Sequence, residues 1–133
     1  MSDIDVTSTS TAGYTTVSEI GEWELTVDAT EQEGPGPNAV LVADYASCFI
    51  PAFRVGASKE GFEDIGAVQI RATVDIDDGD DLASIAFDIA VEESLDDAVA
   101  DVVARAEDIC HVHAALREEL HAEVTVRDGA TVE

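Results

Sequence analysis

Basic residues are nearly absent from this sequence. Its 133 residues hold one lysine, Lys59, and five arginines against 30 acidic side chains, a formal net charge of −24. A surface of that sign repels nucleic-acid phosphates and anionic membranes, which excludes both as partners. Long apolar runs are missing too: no uninterrupted stretch approaches the roughly 20 apolar residues of a membrane span. The opening MSDIDVTSTSTAG has neither a basic n-region nor an apolar h-region, so no secretory signal is expected and a cytoplasmic location is. Cysteine is scarce. The two thiols, Cys48 and Cys110, argue against a disulfide framework in a cytosolic chain.

What is present is a periodic apolar content of 46%, too high for a disordered acidic chain. The length suits one domain over 1–133, with the polar, Ser/Thr-rich residues 1–13 as a frayed or edge segment. The acidity then belongs to a folded surface whose self-repulsion salt screens. With almost no lysine, that surface resembles those of proteins from salt-loving archaea.

Patterning predicts the elements in turn. Trp23, Leu25 and Val27 alternate with Glu24 and Thr26, which reads as a half-buried strand. EQEGPGPN breaks it, and Pro37 suits the first turn of a helix. From Ala39 to Phe53 apolar residues surround the helical wheel, which predicts a buried central helix that Pro51 kinks or ends. Val68–Ile76 and Ile85–Val91 alternate on either side of an Asp-Gly turn, an antiparallel hairpin. Ser94 to Asp97 resembles a capping box before an amphipathic helix that runs to about Leu116. Ala122, Val124 and Val126 close the chain as a strand. The order predicts an α+β fold: an antiparallel sheet with a buried central helix and a second helix.

Composition alone reads the two cysteines as small core hydrophobes. Their contexts say more. PNAVLVADYASCF, with Pro37, Leu41, Ala43, Tyr45, Ala46, Cys48 and Phe49, resembles the signature helix of the OsmC/Ohr family, the osmotically inducible and organic hydroperoxide resistance proteins. Ile109-Cys110-His111-Val112-His113 echoes the family's second cysteine motif, with a hairpin between the two. The resemblance covers about Trp23 to Arg127 and implies an OsmC-like intertwined homodimer.

It also implies a thiol peroxidase for organic hydroperoxides. Cys48 would attack the peroxide and become a sulfenic acid; Cys110 would condense with it to a disulfide. A dithiol or lipoylated reductant would reopen that disulfide, with no bound cofactor. The attacking thiol needs a lowered pKa, because the thiolate is the nucleophile. Here the sequence departs from the family. Asn38 stands where the family has a glutamate, and no arginine precedes Arg54. Asp44 lies at i, i+4 spacing from Cys48, and the cation is expected from Arg54, Arg71 or a partner chain. Val40, Leu41, Phe49 and Phe53 supply apolar walls for the substrate.

Two other functions compete. One is an OsmC-like domain with lost or altered peroxidase activity that binds a small apolar or thiol ligand. The other is a metal site from Cys48, Cys110, His111, His113 and His121, which lacks the compact spacing of a known zinc motif. On the metal-free reading, His111 and His113 are solvent-side or capping residues. A Ser/His/Asp hydrolase finds no nucleophile-elbow motif here.

Overall fold

A computed structural model of the protein describes residues 2–133. The chain forms two compact units, one through Leu41 and one from Val42 onward.

The first unit is a three-stranded antiparallel meander, β1 (Val6–Thr9), β2 (Thr15–Ile20) and β3 (Trp23–Asp28), in spatial order β1-β2-β3. β1 pairs with β2 alone, at the edge of this sheet. β2 carries only Val17 and Ile20 as aliphatic positions, too few to announce a strand, and escapes a reading by alternation. Ile20 pairs with Trp23 across a two-residue loop whose first residue, Gly21, takes φ 61°. A glycine first in such a loop supplies the positive φ that matches strand twist.

The alternation predicted for β3 is real, but its apolar face is not covered. Trp23 is 71% exposed and Leu25 38%. Strand pairing needs only the backbone ladder, whereas burial needs a second layer, and the first unit supplies none for these side chains.

β3 ends on Asp28, a buried carboxylate. It accepts hydrogen bonds from Thr30 Oγ1 at 2.7 Å, Thr30 N–H at 2.8 Å, Glu33 N–H at 3.0 Å and Gln32 N–H at 3.3 Å. These bonds, the Thr30 hydroxyl foremost, hold its pKa far below the usual carboxylate range. A depressed folded-state pKa adds stability above the unfolded value near 3.9 and loses it as pH falls. The stability gap between wild type and Asp28→Asn is therefore expected to be widest above about pH 5 and to shrink on acidification below about 4, read by urea unfolding at fixed salt. A gap independent of pH would refute the ionic role of Asp28.

The helix α1 (Pro37–Lys59) spans the boundary between units and begins at Pro37 as expected. Pro51 neither ends nor interrupts it. Pro51 and Ser47 both face solvent, so water can serve the carbonyl that the missing N–H leaves free. Burial is one-sided rather than all round: Val42, Tyr45, Phe49, Ala52, Phe53, Gly56 and Ala57 face inward, while Val55 is 44% exposed. By length and composition α1 is long and apolar enough to cross a membrane, against the expectation from run length. Its inward stripe is the core helix of the second unit.

That unit holds β4 (Val68–Ile76), β5 (Leu82–Val91), α2 (Val99–Ile109), α3 (His111–Ala115), a 3₁₀ turn (Glu118–Leu120) and β6 (Glu123–Arg127). The hairpin β4–β5 is antiparallel as predicted, but β6 lies parallel to β5, so the sheet β4-β5-β6 is mixed. A parallel neighbour requires a crossover, and the α2–α3 segment provides it. The α+β class stands, with two sheets rather than one. Ile85, Phe87, Ile89 and Val91 of β5 face the core with Leu95, Val102 and the α1 stripe. Phe87 meets Tyr45 at a 4.7 Å ring separation and Phe49 at 5.4 Å. Gly56 allows α1 and α2 to approach closely; a Cβ there would stand 2.9 Å from the Val102 carbonyl oxygen.

The expected capping box does not form. α2 starts at Val99 without a side-chain cap; Ser94 bonds Asp96 and Asp128 instead, and Asp128 accepts the Leu95 N–H at 2.7 Å. Nor does one helix run to Leu116. It breaks at Cys110, which adopts extended backbone angles, φ −70° and ψ 113°, between α2 and α3.

Candidate functional site

The break at Cys110 sets the geometry of the site. Its N–H closes α2 by donating to the Ala106 carbonyl at 2.9 Å, and its sulfur opens α3 by accepting the His113 N–H at 3.4 Å. The side chain is thereby turned into the core, where 1% of the residue is exposed. Cys48, on α1, is half-buried, and both thiols are free. They lie near enough for Cys48 to perturb the Cys110 thiol. Burial pushes the Cys110 pKa up, Cys48 adds to the rise, and the His113 N–H opposes it. Cys110 is therefore a protonated thiol at neutral pH.

A polar cluster that the sequence reading did not assemble lies beside the pair. Tyr45, three residues before Cys48 on α1, is fully buried. Its Oη accepts the Ala122 N–H at 3.0 Å and sits 2.6 Å from His113 Nδ1. The His113 ring stacks on His121 at 3.8 Å with 26° between planes. His121 Nε2 lies 3.0 Å from the Leu116 carbonyl, which can only accept, so that nitrogen carries a proton.

Burial first, then the neighbouring His121, lowers the pKa of His113, while Glu107 and Asp108 oppose the shift. With its proton on Nε2, a neutral His113 accepts the phenolic proton of Tyr45 at Nδ1. Burial likewise raises the pKa of Tyr45, and the Ala122 N–H opposes the rise. His113 is thus a half-buried partner of Tyr45 rather than a fully solvent-side residue; His111 is exposed, as expected. The available signals were the spacings Tyr45–Cys48 and Cys110–His113, each one helical turn.

The other predicted site residues scatter. Asn38 is exposed at the start of α1, and Val40 and Leu41 are half-buried there, all in the first unit. Phe49 and Phe53 have no exposed surface and pack in the core. Asp44 and Arg54 are exposed on α1. Arg71 is exposed on the outer face of β4, lining a concavity of about 480 Å³ with Asp88, Glu123 and Arg127.

Among the described residues, the ion pairs are Arg105–Glu60 and Arg127–Asp88, and none involves Asp44, Arg54 or Arg71. Arg117 donates to the Leu82 carbonyl at 3.4 Å. Among the described residues, then, neither Arg54 nor Arg71 pairs with Asp44 or bonds to Cys48. The described residues contain no group of three or more His, Cys, Asp or Glu able to hold a metal ion.

A free thiol pair with one partly open and one buried member, on a long helix and at a helix break, has relatives. The chain is 57% identical over 127 residues to an uncharacterized protein of Haloferax volcanii, covering 95% of this chain and 96% of that one. That relative is consistent with the salt-adapted composition. The fold matches the crystal structure of an OsmC-like protein from Mycoplasma pneumoniae, with TM-score 0.78, 17% identity and coverage of 96% and 97%. It also matches an organic hydroperoxide resistance protein OsmC from Legionella pneumophila, with TM-score 0.72, 18% identity and coverage of 95% and 97%. OhrB of Bacillus subtilis matches with TM-score 0.66, 20% identity and coverage of 93% and 97%. The OsmC-like protein family model matches residues 29–125, and the chain belongs to that family.

Proposed function

We propose that the protein reduces organic hydroperoxides through Cys48 and Cys110. What supports this reading is a half-buried thiol, Cys48, near enough to the fully buried Cys110 to raise its pKa. The accessible sulfur suits attack on the peroxide. Its thiolate breaks the O–O bond, takes the distal oxygen as a sulfenic acid and releases an alcohol once the alkoxide is protonated. The buried partner suits the later step, in which its thiol gives up a proton, displaces the sulfenic hydroxyl, which leaves as water, and closes the disulfide. An external dithiol or a lipoylated protein returns both to thiols. The solved structures named as hydroperoxide resistance proteins support the same reaction class by fold alone. The test is turnover of an alkyl hydroperoxide with a dithiol reductant in concentrated salt; no oxidation of Cys48 by the hydroperoxide would overturn it.

A second reading rests on a specific observation. Among the described residues Arg54, Arg71 and Asp44 form no ion pair, which leaves the cation of the peroxidase reading unassigned within them. An OsmC-like domain with altered chemistry that binds a small apolar or thiol ligand would need none. Saturable binding of a small thiol without hydroperoxide turnover would favour it.

The working unit in this proposal is a homodimer, whose partner chain supplies the cation. Apolar side chains stand open in both units: Ile4, Tyr14 and Trp23 in the first, Val55, Val74 and Ile76 in the second. Such patches mark interaction surfaces on soluble proteins. Sedimentation in concentrated salt is expected to give twice the mass of one chain. The emission of Trp23, the one tryptophan, should shift to the red on dissociation. A compact monomer would refute the dimer.

A further inference from the structure

Charged side chains on the outer face of the sheet β4-β5-β6 stand in rows across its three strands. Arg71 lies opposite Asp88, and Asp88 opposite Thr125; in the next row Thr73 lies opposite Ala86, and Ala86 opposite Glu123. Arg127 stands beside Ala90, one row the other way. Residues two apart along a strand share a face. These line the concavity of about 480 Å³. Ala86 keeps its floor low, because a methyl group on the central strand sits between longer side chains on both flanks.

Two of the chain's six basic side chains line this hollow, on a protein whose formal net charge is −24. One of them is already paired: Arg127 Nε meets Asp88 Oδ1 at 3.1 Å. Arg71 on β4 and Glu123 on β6 remain, exposed, of opposite charge and on opposite flanks of the hollow. Neither side chain has a hydrogen bond or an ion pair among the described residues. Separation explains why they do not meet. Two strand spacings and one row lie between them, which puts their backbones about 12 Å apart.

We propose that this hollow binds a small zwitterion, its carboxylate on Arg71 and its ammonium on Glu123. A guanidinium takes a carboxylate through two parallel N–H···O bonds, and Arg71 has its whole fork available. The Thr73 and Thr125 hydroxyls, also without partners among the described residues, can donate to or accept from the ligand's polar atoms. Charge decides the ligand class. A simple anion would meet Asp88 and Glu123 as well as the arginines, and a simple cation would meet both arginines. Only a molecule bearing both charges is matched on both flanks at once.

The site is independent of the thiols, so it stands or falls separately from the peroxidase reading. It also lies on the opposite face of β4 from Val74, one of the open apolar side chains assigned to the dimer contact. Binding in the hollow therefore does not compete with that contact.

The test uses 6-aminohexanoate, with a carboxylate and an ammonium at the two ends of a methylene chain. Hexanoate and hexylamine each carry one of its charges. Full-length, isotope-labelled protein is titrated with each in concentrated salt, which screens the long-range pull of the acidic surface on any cation and leaves contact interactions to be read. The zwitterion is expected to shift the backbone amide resonances of Thr73, Ala86, Asp88 and Thr125 saturably. Its affinity should exceed that of either singly charged analogue by about tenfold, the worth of one charge-assisted contact. Arg71→Gln should remove its advantage over hexylamine, and Glu123→Gln its advantage over hexanoate. Both positions are exposed on the sheet face, so neither change disturbs the core.

Each contrary result overturns the proposal. Equal affinity for hexanoate would make the hollow an anion site on Arg71 alone. Equal affinity for hexylamine would make it plain attraction of cations to an acidic protein. No saturable shift with the zwitterion, or binding unchanged in either variant, would show that Arg71 and Glu123 form no site together.

Discussion

Cys48→Ser is expected to lower hydroperoxide turnover by at least about 1,000-fold, to the background of the reductant, while leaving the fold intact. Serine keeps the size of the side chain at a half-buried position, so packing changes little. The hydroxyl, however, has no accessible anion at neutral pH and cannot take up an oxygen atom as a sulfenic acid. Cys110→Ser is the informative contrast. It should complete the first oxidation at an unchanged rate and then stall, with one dimedone adduct per chain at Cys48 and no disulfide. If Cys110→Ser turned over as fast as wild type, Cys110 would be a core thiol and Cys48 a one-cysteine peroxidase. If both variants matched wild type, the thiols would have no part in the activity at all.

Phe49→Ala carries the largest expected loss of stability. Phe49 has no exposed surface and lies edge-on to Tyr45 at 6.3 Å and to Phe87 at 5.4 Å, where α1 meets β5. Truncating a fully buried phenylalanine removes its transfer free energy and leaves a cavity, together about 3–5 kcal/mol. For a domain of this size that lowers the melting temperature by roughly 10–20 °C. The comparison belongs in concentrated salt, since a net charge of −24 destabilises every variant once screening is removed. Phe49 also follows Cys48 directly and borders Tyr45, so disulfide formation should suffer in the protein that remains folded. A loss below about 1 kcal/mol would mean that the core repacks around the gap.

Legibility in the sequence followed the range of the interactions concerned. The start of α1 at Pro37, the β4–β5 hairpin and the β6 alternation are local patterns, and all three elements stand in the structure. β2 was not legible because four of its six residues, Thr15, Thr16, Ser18 and Glu19, are polar and the strand exists by pairing with β1 and β3. The helix break at Cys110 was hidden because the apolar spacing continues through it. What changes there is the backbone, which turns extended while a sulfur stands in as the cap of α3. The parallel direction of β6 was hidden as well, since alternation is identical in both directions.

The candidate site divides in the same way. Cys48 and Cys110 were legible from their motifs, 62 positions apart, and in the structure Cys48 is near enough to raise the pKa of Cys110. Tyr45, His113 and His121 were legible as residues but not as a cluster. Their contacts join α1, α3 and the segment before β6, and no spacing along the chain reports a contact such as that of Tyr45 with His113.

The sequence by itself determined the acidic, salt-adapted character of the protein, its α+β class and the identity of the two thiols. Those follow from composition, period and short motifs, which are properties of neighbouring residues. Only the tertiary structure decided which thiol is open and which is buried, and that Asp44, Arg54 and Arg71 stay apart on the surface. It also decided that the His113 N–H meets the Cys110 sulfur and that the His113 ring meets Tyr45. Burial and pKa depend on what the rest of the chain packs against a group, and residues distant in sequence supply that environment.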